Sequence, residues 1–137
     1  MKICSACLLG VCCRFDGKAK PHKKVLDLAK KEVLLPVCPE QLGGLSSPRV
    51  AAEQKQDQVF SQSGEDLTAN FLRGAQEVLK IAQLYDVKEA VLKQRSPSCG
   101  CGQIYDGSFK GRVIEGDGVT TALLKSAGIT VITEEDL

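Results

Sequence analysis

Two hydrophobic periods share this chain. Continuous apolar runs occur at Lys2 to Ala6, Val33 to Val37, Ala90 to Leu92 and Ile129 to Thr133. Such runs fit strands buried on both faces of a parallel sheet, where in/out alternation disappears. Pro36 weakens the second run or sets it at a strand end. Between the runs lie stretches with helical spacing. Leu67, Phe71, Ala75, Val78, Ala82 and Tyr85 give one apolar stripe and predict a helix from Asp66 to Tyr85. Glu65 and Asp66 suit the positive end of its dipole. Val25 to Glu32 predicts a shorter helix with Val25, Leu28 and Ala29 on one face. Val119 to Ala127 predicts a last helix, with Gly128 as its stop. Strands alternating with helices imply a single α/β domain spanning residues 1–137. The expected architecture is a three-layer, Rossmann-like parallel sheet of about four strands with flanking helices.

The remaining segments carry turn chemistry. Leu8 to Pro21 reads as a loop containing the Arg14-Phe15-Asp16-Gly17 turn. Cys38 to Arg49 contains Pro39, Gly43, Gly44 and Pro48, which predicts a fixed loop without regular structure. Gln54 to Ser63 is polar around Val59-Phe60 and reads as a short strand or surface excursion. Ile104 to Phe109 reads as a tight turn centred on Asp106-Gly107. Right-handed crossovers gather every strand-to-helix loop on one sheet edge, where open α/β sheets bind ligands. Cys7, Cys38 and Cys99 each follow an apolar run and fall on that edge. Loops for a cluster are therefore expected at the carboxyl ends of the strands.

Composition narrows the possibilities. The 137 residues are 43% hydrophobic and 26% charged, as in an ordinary globular protein. A net charge of +1 gives no global field for a nucleic acid polymer or an anionic membrane. Trp is absent and aromatics are 4%, so a base-stacking surface is not expected. No apolar run approaches the ~20 residues of a membrane span. Met1-Lys2-Ile3-Cys4 already reads as a strand, so no secretory signal is expected. Seven cysteines in such a chain point to a reducing, cytoplasmic setting and to thiols that bind metal or react. Cys4, inside the first strand, reads as a buried small hydrophobe.

Several familiar sites are missing. No Gly-x-Gly-x-x-Gly follows the first strand, and there is no Walker-type phosphate loop. His22 is the lone histidine and lies among Lys18, Lys20, Lys23 and Lys24, which suits a solvated residue better than a catalytic one. Cys4 and Cys7 have the spacing of half a zinc knuckle, but no second pair follows. An iron–sulfur cluster fits better. Three thiolates hold a [4Fe–4S] cube and leave one iron open as a Lewis acid. Glu40, two residues after Cys38, is a candidate for proton transfer; capping of loop amides is the plainer alternative. Ser96 and Ser98 flank Pro97 before Cys99, and either hydroxyl can face a substrate or simply shape the turn. Arg49 is a candidate for an anionic or carbonyl group, or a surface residue.

Together these segments resemble the thiouracil desulfurase family. The resemblance rests on Ser5-Ala6-Cys7-Leu8-Leu9-Gly10, Arg14-Phe15-Asp16-Gly17 and Cys38-Pro39-Glu40-Gln41-Leu42-Gly43-Gly44-Leu45. It extends through Pro48-Arg49, Ser96-Pro97-Ser98-Cys99-Gly100 and Gly116-Asp117-Gly118-Val119-Thr120. It implies a [4Fe–4S] cluster held by Cys7, Cys38 and Cys99, with Glu40 and Ser96 catalytic. Ser98 and Arg49 are then expected to contact the substrate. The implied activity is non-redox removal of sulfur from a small thiolated pyrimidine such as thiouracil, releasing hydrosulfide. A non-catalytic zinc or iron–sulfur carrier is the alternative. Phe15 stands where the family more often has tyrosine, and Cys12, Cys13 and Cys101 are additional thiols near the site.

Overall fold

Four short strands line up in parallel because each is apolar enough to be covered on both faces. In the computed structural model, which describes residues 1–137, these are β1 (Lys2–Ser5), β2 (Leu34–Val37), β5 (Glu89–Leu92) and β8 (Thr130–Thr133). They lie in the order β2-β1-β5-β8. Successive side chains of β1 face opposite ways, so Ile3 packs into one core and Cys4 into the other. Pro36 is tolerated because β2 is an edge strand, although it sits in register opposite Cys4 rather than at the strand's end.

The chain first steps outward from β1 to β2 through α1 (Lys23–Ala29), then recrosses β1 to reach β5 and β8. Right-handed crossovers that reverse direction must cover opposite faces. Val25 of α1 accordingly packs with Cys4, Leu34 and Val91 on one face. Val78 and Ala82 of α3 (Thr68–Leu84) and Leu124 of α4 (Val119–Ser126) pack with Ile3, Val37 and Leu92 on the other. The reversal leaves a crevice beyond the carboxyl ends of β1 and β5. No helix is long and apolar enough to cross a membrane.

Three segments are more ordered than their composition implies. Pro39–Leu42 forms a single helical turn, α2, within the stretch expected to lack regular structure. Proline suits the first turn of a helix, where its missing N–H costs nothing. The polar excursion is an antiparallel hairpin of β3 (Ala52–Lys55) and β4 (Gln58–Ser61). The expected tight turn at Asp106-Gly107 is the start of a longer connection between β6 (Gln103–Tyr105) and β7 (Val113–Glu115). All three β7 residues are exposed, so no hydrophobic alternation announces that strand.

α2 rests directly on α3, backbone against backbone. A methyl group added to Gly74 would lie 1.9 Å from the Pro39 carbonyl oxygen, and one on Gly43 would lie 2.1 Å from that of Asn70. Asn70 Nδ2 donates to Gly43 O at 2.9 Å and ties the two elements together. This contact fixes the turn that carries Cys38 and Glu40. An alanine normally gains about 1 kcal/mol over glycine inside a helix. Here Gly74→Ala is expected to lose stability by about 1–3 kcal/mol, because overpacking outweighs propensity. A denaturant midpoint at or above the wild-type value would contradict the close approach.

Candidate active site

The crevice holds a cavity of about 430 Å³. Cys7, Cys38, Cys99, Glu40, Arg49, Ser96 and Ser98, all singled out from the sequence, line it. So does a fourth thiol, Cys13, which sequence reasoning treated only as an additional cysteine.

Three different backbone devices present the three expected ligands. β1 ends at Ser5 and tightens into a 3₁₀ turn, Ala6–Leu9, that carries Cys7. Gly10 closes this turn at φ 98°, a left-handed conformation that favours glycine. The Cys7 carbonyl accepts from Gly10 and Lys20 N–H groups at 3.2 and 2.9 Å. Cys38 occupies the N-cap position of α2, and its carbonyl accepts the Leu42 N–H at 2.9 Å.

Cys99 is held by the start of α4. The first amides of a helix lack partners within it. Here Val119 N–H donates to Pro97 O and Thr120 N–H to Ser98 O, both at 2.9 Å. Thr121 Oγ1 donates to Cys99 O at 2.8 Å. Gly118 lies so close to this loop that a Cβ there would meet the Ser98 carbonyl carbon at 2.4 Å. The glycine and the helix start thus clamp the Ser98–Cys99 peptide from below.

The two serines form a chain that ends on the carboxylate. Ser96 Oγ accepts the N–H groups of Ser98 and Cys99, each at 3.1 Å, and lies 2.9 Å from Ser98 Oγ. Ser98 Oγ donates to Glu40 Oε2 at 3.1 Å. Each hydroxyl has one proton, so the ordered arrangement is Ser96 to Ser98 to Glu40. Ser98 is 1% exposed, whereas Ser96 is partly open to the cavity. Glu40 Oε1 in turn meets Arg49 Nε at 3.1 Å.

Arg49 is already engaged. Its Nη1 donates to Cys13 O and Ser46 O, both at 2.9 Å, and to Ser47 Oγ at 2.6 Å. Through Nε and Nη1 the guanidinium is held by Glu40 and the loop and aims the carboxylate, while its Nη2 has no protein partner. The Cys13 carbonyl is the hub of this corner. It also accepts from Ser47 Oγ at 2.8 Å and from the Cys38 thiol at 3.6 Å.

Cys4, Cys13, Cys38 and Cys99 are held neutral by their surroundings. Burial pushes Cys99 up to about 11, offset in part by the hydroxyls of Ser5 and Ser98. A hydrogen bond with Cys13 and then burial raise Cys38 well above the ordinary thiol range. Cys13 is hydrogen-bonded to Cys38, which lowers its pKa, but the bond to Cys7 and burial outweigh this and raise it. Cys4 is pushed to about 12 by burial and makes its contact with Ser5 O, away from the cavity. Cys12 is exposed, and Cys101 donates to Val131 O outside the cavity lining.

The hairpin β3–β4 also has a part in the site that sequence reasoning missed. Gln54 Nε2 donates to Pro97 O and to Asp117 O, both at 2.9 Å. Glu53 Oε1 accepts from Gly107 and Phe109 N–H groups at 3.0 and 3.1 Å. One strand thereby fastens the Ser96–Cys99 loop to the turn after β6. Only the isolated Val59-Phe60 pair hinted at an ordered hairpin.

The donor set suits a cluster. Soft thiolates select iron–sulfur clusters or zinc. No group of three His, Cys, Asp or Glu side chains has the geometry to hold a single metal ion. The thiols instead surround a cavity, which is the arrangement a polynuclear body needs. Basic groups on the wall, among them Arg49 and Lys93, complement the negative charge of three thiolates.

Comparisons with known proteins agree with this chemistry. A family model described as 2-thiouracil desulfurase matches residues 3–136. The uncharacterized protein YbbK of Bacillus subtilis (strain 168) is 40% identical, with 100% of this chain and 97% of YbbK covered. The solved structure of the [4Fe-4S]-dependent thiouracil desulfidase TudS superposes with a TM-score of 0.94 at 43% identity. That match covers 99% of this chain and 91% of TudS.

Raised thiol pKa values have a consequence for stability. The folded cluster-free protein holds the Cys99 proton more tightly than the unfolded chain does, near 11 against 9.0. The corresponding stability is complete below about pH 9 and is lost as pH rises through 11. The loss for this group amounts to about 2–3 kcal/mol. Urea unfolding of cluster-free protein from pH 8 to 11 should show that decline, and Cys99→Ala should make it shallower by this group's share, Cys4 and Cys38 supplying the rest. A flat wild-type profile would contradict the burial argument.

Proposed function

The chain belongs to the 2-thiouracil desulfurase family, and on that footing we propose that it desulfurises a small thiolated pyrimidine such as 2-thiouracil. Water replaces sulfur at the thiocarbonyl carbon, giving the oxo base and hydrosulfide, with no change of oxidation state. The observation that carries this reading is the convergence of three loop cysteines with the Ser96–Ser98–Glu40 chain on one cavity. A [4Fe–4S] cluster bound by Cys7, Cys38 and Cys99 supplies an iron without a protein ligand, a Lewis acid for the thiocarbonyl sulfur.

The chain's own residues supply the proton chemistry. Glu40, aimed by Arg49, takes the proton of the attacking water at its Oε2. Ser98 orders that carboxylate oxygen, and Ser96, more open to the cavity, orders the water or the ring. Burial of Cys7, Cys99 and Ser98 keeps bulk water from that side of the site, while Cys38 is half-buried. We place the reaction in the cytoplasm, where seven unpaired cysteines stay reduced. The partner is a small molecule, and the cavity's few aromatics offer no platform for a nucleic acid polymer.

Anaerobic reconstitution provides the test. The protein should bind iron and acid-labile sulfide, and Cys7→Ser, Cys38→Ser or Cys99→Ser should each lower the bound iron. Loaded protein should release sulfide from 2-thiouracil. Glu40→Gln should retain its iron while kcat falls by about 10²–10⁴-fold. Full iron with no sulfide release from the wild type would leave a carrier and remove the enzyme. Zinc without labile sulfide would remove the cluster as well.

A further inference from the structure

A buried ion pair stands beside the cavity with no part in the chemistry above. Lys93 follows β5 directly and lines the cavity, with its side chain 18% exposed. Its backbone N–H donates to Ser5 Oγ at 2.8 Å, which ties it to the end of β1. Nζ donates to Gln94 O at 3.1 Å and lies 3.2 Å from Glu134 Oε1. An ammonium has three N–H groups, and these two acceptors are the protein's only partners for it.

Glu134 is 6% exposed and is not on the cavity wall. Both its oxygens accept the Gln94 N–H, at 3.0 and 2.9 Å. A capping box fixes the turn that carries it: Thr133 Oγ1 accepts Glu135 N–H at 3.3 Å, and Asp136 Oδ2 accepts Thr133 N–H at 2.8 Å. The lysine is thus on the cavity wall and its carboxylate partner is behind that wall. Apolar residues of similar volume hold a fold at least as well as a buried ion pair. The pair's distinctive property is a desolvated cation kept available at a ligand site.

The other cations on the wall are differently disposed. Arg49 is held by Glu40 and the loop through Nε and Nη1, leaving only Nη2 without a protein partner. Arg95 is turned to Glu135 and Gln103. Arg14 faces Asp16 and the Phe15 ring, and Lys20 is exposed. Lys93 is largely buried and left with a free donor, and its paired carboxylate lies off the cavity wall, whereas that of Arg49 is Glu40, the catalytic carboxylate itself.

Building on the desulfurase reading, we propose that Lys93 is a substrate-binding residue whose free N–H takes the ring carbonyl oxygen of the pyrimidine. Lys93 lies on the β5 side of the cavity and Glu40 on the β2 side, so the two address different edges of one ring. The cavity then selects thiolated pyrimidines that also carry an oxo group. 2-Thiouracil presents such an oxygen, and 2-mercaptopyrimidine has the same ring and sulfur without it.

Paired substrates and a product test this. Lys93→Met should raise KM for 2-thiouracil about tenfold or more, the worth of a charge-assisted hydrogen bond. KM for 2-mercaptopyrimidine should stay within about twofold of wild type, since it has no oxygen to lose. Uracil binding by calorimetry is the second readout, because uracil carries the oxygen and needs no desulfurisation. Its affinity should fall by about tenfold or more in the same variant. Removing the lysine strands Glu134, so the double variant Lys93→Met, Glu134→Gln repeats both measurements without a buried unpaired charge. Equal KM changes for the two thio-bases, or unchanged uracil affinity in the double variant, would overturn the assignment. Absence of sulfide release from wild type bears on the desulfurase reading, while the uracil result decides the lysine.

Discussion

The first amides of α4 have no partner inside their own helix, and the site is built on the way that deficit is met. The carbonyls of Pro97 and Ser98 accept Val119 and Thr120 N–H groups, and Thr121 reaches the Cys99 carbonyl. A loop that would otherwise expose polar backbone to a buried cavity is thereby satisfied. The same bonds set the peptide that carries Ser98 and Cys99. Gly118 permits the approach, since any side chain there would strike that peptide. Secondary structure and site geometry are one hydrogen-bond network here, so neither can shift alone.

Charge is arranged with similar economy. Three thiolates and a carboxylate in one cavity repel one another unless cations or protons intervene. Without a cluster Cys38 and Cys99 keep their protons, held by burial and by the hydrogen bond between Cys38 and Cys13. Arg49 faces Glu40, and Lys93 is backed by Glu134, so each of these two cations has its own anion. Metal uptake must release the thiol protons, which makes the loaded site dependent on pH.

Much of this was legible in the sequence because it depends on short-range rules. Continuous apolar runs placed β1, β2, β5 and β8 within a residue or two, and right-handed crossovers placed the strand-to-helix loops on one edge. Cysteines in the loops that follow those runs were expected to share an edge. The rest depended on partners distant in the chain. α2 forms in a Pro- and Gly-rich stretch because Gly74 lets it dock, a contact about thirty residues away. β7 is exposed throughout and has no periodic signature. Gln54 looked like a solvated polar residue until two carbonyls from separate loops met it. Glu134 opens an acidic tail, and only the capping box that turns it inward distinguishes it from Glu135.

The same dependence on backbone environment sorts the seven cysteines. Cys4 and Cys7 have a spacing that belongs to metal knuckles, yet they cannot act as a pair. Cys4 lies within β1, where the pleat turns it into the α1-side core among Val25 and Val91. Cys7 lies one turn later, after the strand has tightened into a 3₁₀ helix, and faces the cavity. Cys12 and Cys13 are neighbours with opposite fates, one exposed and one 2% exposed between Cys7 and Cys38. Cys13 therefore belongs to the cavity as closely as the three strand-end thiols do. Its carbonyl already organises Arg49, Ser47 and the Cys38 thiol, so the residue serves the site through its backbone whatever its sulfur does.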